Sequence, residues 1–148
     1  MCHEFDGKVP GPIFPNPTSS NNKLCYFFAF KHHDANNVAE GQWAIPIAEE
    51  FSVFENADLN SISHKGDLYG IYSVNGRVVT LGTMYETVAK FPFARAREAW
   101  HGFPMWPISP PKRIVRKPKT VPSEAIEKMV DCGMITKKIG NRILIGKL

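Results

Sequence analysis

Runs of apolar residues predict several β-strands in the first half of the chain. Residues 24–30 (LCYFFAF) form a short aromatic run with the composition of a buried strand. Residues 42–48 (QWAIPIA) are a second candidate, but Pro46 has no amide N–H to donate, which restricts this strand to an edge or a bend. The apolar positions between residues 49 and 64 follow no single period and therefore predict no particular element.

The strongest local pattern runs from residue 68 to residue 81. Two β-rich runs, LYGIYSV and RVVTL, flank the dipeptide Asn75-Gly76. Asn-Gly favours a type I′ turn, because both central residues of that turn have positive φ angles. The pattern therefore predicts one long β-hairpin across this region.

Helix signals follow the predicted hairpin. Thr83 and Glu86 have the spacing of a capping box, which predicts a helix over residues 83–90. Residues 93–101 predict a second short helix, with Gly102 as its C-terminal cap.

The C-terminal residues predict a helix and then a second hairpin. Residues 123–132 have a helical pattern that ends at Gly133, a residue suited to the position after a helix. Two further runs, MITKKI and RILIGKL, flank Gly140-Asn141, which suits a two-residue turn between strands. We therefore predict a helix–hairpin element at the end of the chain.

Together these elements predict an α+β fold, in which an antiparallel sheet is covered by two or three short helices and followed by the C-terminal helix–β-hairpin element. We divide the chain into an α+β core domain at 1–111 with an irregular proline-rich N-terminal arm, a proline-flanked basic linker at 112–119, and the helix–hairpin element at 120–148. The predicted core comprises Phe27, Phe28, Phe30, Trp43, Ile45, Ile71, Val78, Val79, Leu81, Val88, Ile126, Met129, Ile143 and Ile145.

The composition is that of a globular protein, with 43% hydrophobic and 22% charged residues. The three cysteines are widely spaced and include no CxxC pair, which is typical of a reduced cytoplasmic protein. The N-terminus lacks a signal-peptide pattern, and no apolar run approaches the roughly 20 residues that span a bilayer. We therefore expect a soluble cytoplasmic protein with no membrane partner.

Charge divides the chain into two unequal parts. Residues 112–148 carry ten Lys/Arg and three acidic residues, a net charge of +7, whereas residues 1–111 have a net charge of −3. A basic segment of this kind attracts nucleic acid or an acidic protein surface. The side chains that we expect to make such contacts are Lys112, Arg113, Arg116, Lys117, Lys119, Lys137, Lys138 and Arg142. The competing interpretation is a solvated linker whose charges maintain solubility.

The segment 91–106 (FPFARAREAWHGFPMW) contains the strongest catalytic candidates. On a helix, Arg97 and His101 are four residues apart and share a face, as Arg95 and Glu98 do at a spacing of three. Histidine beside Glu and Arg can act as a general acid or base, so this set would suit a small hydrolase or nuclease. The competing interpretation is that the aromatic residues of the segment pack on the sheet and the charged ones form weak surface pairs.

Two other features carry less specific chemistry. The Pro/Trp-rich segment 103–111 is expected to be extended, so it could dock on a partner in an assembly. Cys2, His3, Cys25, His32 and His33 match no standard spacing of zinc ligands, so we predict no metal site. Nucleotide-binding, dinucleotide-binding and serine-hydrolase motifs are absent from the sequence, and we predict no cofactor.

These observations favour a non-enzymatic binding or regulatory protein over an enzyme. Its basic C-terminal region is expected to contact nucleic acid or an acidic partner. Two alternatives stay open, namely a small hydrolase or nuclease that uses His101 with Arg97 and Glu98, and an assembly protein that docks through 103–111. The residues define neither a particular ligand nor an oligomeric state.

Overall fold

A four-stranded antiparallel sheet forms the centre of the computed structural model, which describes residues 13–15, 25–34, 41–94, 99–105 and 121–148. Helices pack against this sheet, so the predicted α+β class is confirmed. The strands are β1 (Ile13–Pro15), β2 (Cys25–Phe27), β3 (Ser63–His64), β4 (Asp67–Gly70), β5 (Ser73–Val74), β6 (Arg77–Val78), β7 (Val88–Phe91) and β8 (Phe103–Met105). The central sheet has the order β3-β4-β7-β8, while β1-β2 and β5-β6 form separate antiparallel pairs.

Three α-helices and one short 3-10 helix complete the described structure. They are α1 (Ile47–Leu59), α2 (Ser123–Asp131), α3 (Lys137–Leu144) and the 3-10 turn Phe30–His32. The region between residues 49 and 64, which predicted no element, thus contributes most of α1 and the strand β3. Among the described residues, no helix is long and apolar enough to cross a membrane.

Strand alternation gives the central sheet two apolar faces. Leu68 pairs with Phe91, and both pack with α1, β2 and Trp43 on one face. Tyr69 and Val88 point to the other face, where they pack with α2 and α3. The C-terminal helices therefore cover the face of the sheet opposite α1.

The Asn75-Gly76 turn is confirmed, but the hairpin around it is shorter than predicted. Asn75 has φ 51° and Gly76 has φ 76°, the left-handed values that a type I′ turn requires. The turn joins only β5 and β6, since β4 pairs with β3 and β7 instead. The backbone preferences of Asn75 and Gly76 therefore determine the turn, whereas the pairing of β4 is determined by its contacts with β3 and β7.

The predicted helix over residues 83–90 is wrong, because its second half is the strand β7 in the interior of the sheet. Its first half is a loop in which Tyr85 has φ 66°, a left-handed value that a right-handed α-helix excludes. The Thr83 amide donates to the Gln42 carbonyl at 2.9 Å instead of to the side chain of Glu86. Pairing with β4 and β8 thus overrides the capping-box pattern.

The predicted helix over residues 93–101 is also wrong where the structure describes it. Residues 93, 94 and 99–101 have no helical conformation, and Trp100 forms a parallel bridge with Tyr26. Gly102 ends no helix, and a Cβ there would lie 2.2 Å from the ring of Phe91. Arg97 and Glu98 lie outside the described residues.

The predicted C-terminal hairpin is wrong, because residues 137–144 form the helix α3. The Oγ1 of Thr136 accepts from the Ile139 amide at 3.2 Å and caps the helix. Gly140, predicted as a turn residue, lies where a Cβ would be 3.0 Å from the Val130 side chain, so its small size permits close packing against α2. The preceding helix is confirmed as α2, followed by Gly133 with φ 79°.

Most of the predicted core is buried. The buried members are Phe28, Trp43, Ile71, Leu81, Val88, Ile126, Met129 and Ile143, and the half-buried ones are Phe27, Ile45, Val78 and Val79. Ile145 is 60% exposed, so its assignment to the core is wrong. The side chain of Phe30 lies outside the described residues.

Candidate functional site

The structure places three of the predicted contact residues on the outer surface of α3. Lys137, Lys138 and Arg142 are all exposed, and Asn141 is exposed beside them. We call these four residues the basic α3 face. The opposite side of the helix is buried through Gly140 and Ile143. The other predicted contact residues, Lys112, Arg113, Arg116, Lys117 and Lys119, lie outside the described residues.

The two lysines in the first turn of α3 oppose the dipole of the helix. Its first turn contains Lys137 and Lys138 and no acidic residue. The N-terminus of a helix carries partial positive charge, so lysines there are unfavourable by a few tenths of a kcal/mol to about 1 kcal/mol each at low salt. The requirements of helix stability therefore do not explain why these two lysines are present.

The neighbouring helix α2 differs from α3 in having an acidic residue in its first turn. Glu124 is in its first turn and Lys128 is in its last, as the helix dipole favours. A hydrogen bond from its own backbone amide lowers the pKa of Glu124. Exposed Glu124, Glu127 and Asp131 give α2 an acidic outer surface, so the positive charge of this helix pair is concentrated on α3.

The last residues connect α3 to a loop of the central sheet. The Lys147 amide donates to the Arg142 carbonyl at 2.8 Å, and the Thr87 hydroxyl donates to the Leu148 carbonyl at 3.1 Å. The loop at residues 82–87, which we call the Tyr85 loop, exposes 75% of Tyr85 and 40% of Met84. Sequence reasoning missed these two residues because it assigned them to a helix.

His101, the predicted catalytic histidine, packs in a row of four aromatic rings. Its ring centroid is 5.1 Å from that of Phe27 and 5.9 Å from that of His32, and His32 in turn stacks on Phe103 at 5.0 Å. The ring of His32 is held by a 3.0 Å contact between its Nδ1 and the Gly41 carbonyl. The described surroundings of His101 are thus those of a packed aromatic residue.

A buried carboxylate lies between a tyrosine and another histidine on the α1 side of the sheet. Glu50 is fully buried, accepts from the Tyr26 hydroxyl at 2.5 Å, and has its Oε2 3.1 Å from His33 Nε2. Burial raises the pKa of the Glu50 carboxyl, and burial with the adjacent carboxylate raises that of the Tyr26 hydroxyl. His33 keeps 23% of its side chain exposed, so the cluster reaches solvent only there.

Among the described residues, no group of three or more His, Cys, Asp or Glu side chains could hold a metal ion. His32 and His33 are described, whereas Cys2, His3 and the side chain of Cys25 lie outside the described part of the chain.

No family model matches the chain, and neither the curated proteins nor the solved structures contain a match to it.

Proposed function

We propose that this is a non-enzymatic binding or regulatory protein whose basic C-terminal region contacts a polyanion, with nucleic acid as the preferred class and an acidic protein surface as the alternative. The observation that carries the proposal is the basic α3 face, where two lysines occupy the helix end at which they are least favourable. Charge that costs stability on an exposed surface is best explained by an anionic partner.

The chemistry of the basic α3 face supports nucleic acid as the partner. Lysine and arginine neutralise phosphates, and Asn and Arg side chains can also form paired hydrogen bonds with base edges. The eight-residue helix α3 places Asn141 and Arg142 one turn after Lys137 and Lys138 on the same exposed face. The five basic residues at 112–119 would add further phosphate contacts.

The test is the salt dependence of binding to labelled mixed-sequence oligonucleotides, single-stranded and duplex, measured by fluorescence anisotropy. We expect the affinity of the intact protein to fall steeply as salt rises, because each phosphate contact releases counterions. The variant Lys137→Ala/Lys138→Ala/Arg142→Ala should bind more weakly and with a salt slope smaller by about 2 to 3, the value for three lost phosphate contacts.

The matched control is Lys31→Ala, which removes an exposed cation far from α3 in sequence and should leave the slope unchanged. A second variant measures how much the linker contributes to the affinity and to its salt dependence. It neutralises Lys112, Arg113, Arg116, Lys117 and Lys119. Absence of binding at low salt, or wild-type affinity and slope in both variants, would contradict the proposal.

A further inference from the structure

Tyr85 combines two properties that its surroundings do not explain. Its side chain is 75% exposed, and its backbone has φ 66°, in the left-handed region that bulky residues rarely adopt. The neighbouring Met84 is 40% exposed. Neither burial nor backbone preference favours tyrosine at this position, which makes its ring a candidate for contact with a molecule outside the chain.

The backbone of the Tyr85 loop is held in place. The Leu81 amide donates to the Glu86 carbonyl at 2.7 Å, and the Tyr85 amide donates to the Gly82 carbonyl at 3.1 Å. The side chain of Glu86 is buried beneath the loop, with Oε2 3.4 Å from the Met84 amide. The tyrosine is therefore presented by an ordered turn, which reduces the entropy that a bound ligand would have to overcome.

One hydrogen bond joins the Tyr85 loop to the residues that follow α3. Thr87, two residues after Tyr85, donates to the Leu148 carbonyl at 3.1 Å, and two residues of extended chain span at most about 7 Å. Lys147 precedes Leu148 and is exposed, and its amide bonds the Arg142 carbonyl. Tyr85 and Lys147, both exposed, therefore lie on two chain segments that meet at the Thr87–Leu148 hydrogen bond.

We infer that Tyr85 is a stacking platform for an unpaired base, so that the polyanion bound by this surface is single-stranded nucleic acid. This inference rests on the proposed function. Proteins that bind single strands combine a cationic surface along the backbone with aromatic rings on which bases stack. Paired bases inside a duplex already stack on one another and offer no free face, so stacking on the tyrosine ring is specific to a single strand.

The test compares an oligothymidylate of about 15 nucleotides with a duplex of equal length. Three variants distinguish the effect of the Tyr85 ring on binding from the effect of the backbone conformation at this position. Tyr85→Phe keeps a ring, Tyr85→Ala removes it, and Tyr85→Gly removes it while relieving the positive φ. We expect the wild type to prefer the single strand, Tyr85→Phe to match it, and the other two to lose about tenfold or more in affinity for the single strand alone.

A second readout reports stacking itself. An oligothymidylate with one central 2-aminopurine changes fluorescence when that base stacks on a ring. We expect the change in the wild type and in Lys31→Ala, measured at saturation, and not in Tyr85→Gly. The melting temperature of Tyr85→Gly should equal or exceed that of the wild type, because glycine adopts the left-handed conformation without a steric penalty.

The outcomes distinguish this inference from the proposed function. Equal losses for single strand and duplex in Tyr85→Gly, or no loss for either, would overturn the inference. A preference of the wild type for duplex, or for polyglutamate as an acidic-protein probe, would also overturn it while leaving polyanion binding by α3 intact. Binding of none of the three probes would overturn both.

Discussion

At the scale of single residues, the cluster of Tyr26, Glu50 and His33 shows how a charge is accommodated in the core. A buried carboxylate without partners would cost several kcal/mol, and the Tyr26 hydroxyl and His33 ring reduce that cost. The sequence gives little indication of this cluster, because Tyr26 and Glu50 are 24 residues apart and only the packing of α1 on β2 brings them together.

Glu50→Gln should change how stability depends on pH. The raised pKa means that the folded chain holds this proton more tightly than the unfolded chain, whose value is near 4.5. The associated stability is complete below that value and is lost as pH rises through the folded pKa. We expect urea unfolding to show a smaller loss of stability from pH 4.5 upward in the variant than in the wild type.

The control is Glu55→Gln, which makes the same chemical change at a half-buried position of the same helix outside the Tyr26, Glu50 and His33 cluster. The buried Glu86 also has a pKa raised by burial, so some loss of stability above pH 4.5 should persist in both variants. Identical profiles for the wild type and Glu50→Gln would contradict this interpretation of the cluster.

His101→Ala should lower the free energy of unfolding. The ring of His101 packs against Phe27 and His32, and such ring contacts contribute about 0.5 to 1.5 kcal/mol beyond the area that they bury. Thermal unfolding of His101→Ala and of the ring-preserving His101→Phe provides the check. A hydrolase or nuclease that uses His101 would instead lose its turnover in both variants, with the stability of His101→Phe unchanged.

At the scale of elements, the two lysines in the first turn of α3 add surface charge and lower the stability of the helix. Lys137→Glu/Lys138→Glu places acidic residues where the helix dipole favours them, so we expect the free energy of unfolding to rise by about 0.5 to 2 kcal/mol. The same variant should lose affinity for polyanions. Urea unfolding and anisotropy on one preparation measure both effects, with Lys31→Glu as the control, and a loss of stability would contradict the argument.

Two isoleucines near the C-terminus test whether this element is a helix or a hairpin. Positions 143 and 145 would share one face of a strand but lie on opposite sides of a helix. In α3 and its C-terminal cap, Ile143 is fully buried while Ile145 is 60% exposed. Ile143→Ala should therefore cost about 2 to 5 kcal/mol and Ile145→Ala less than about 0.5 kcal/mol. Similar losses, measured by chemical denaturation, would indicate the hairpin.

Elements whose signals are local could be predicted from the sequence, and elements set by distant pairing could not. The Asn75-Gly76 turn and the end of α2 at Gly133 depend on backbone preferences of single residues, and both are present. The helix predicted from the capping-box pattern at Thr83 is wrong, because residues 88–91 form the strand β7, which pairs with β4 and β8. The turn predicted at Gly140-Asn141 is wrong, because Gly140 lies in a helix where its lack of a side chain allows close packing against α2.

At the scale of the whole molecule, the sheet separates two chemically different sides. The α1 side contains the buried Glu50 cluster and most of the packed aromatic rings, whereas the other side carries α2, α3 and the exposed cations of the basic α3 face. The charge split in the sequence drew attention to those cations, which the structure places on exposed positions. It could not predict their common helical face or the exposure of Tyr85, which depend on the true conformation of residues 83–90 and 137–144.

We propose that the basic α3 face and Tyr85 bind the same nucleic acid strand. The most direct measurement is a nuclear magnetic resonance titration of the isotope-labelled intact chain with a short oligothymidylate. We predict that amide shifts change at Lys137, Lys138, Asn141, Arg142, Lys147 and Tyr85 and that those of α1 stay constant. Changes concentrated around α1 and His33, or an unchanged spectrum at low salt, would contradict the claim.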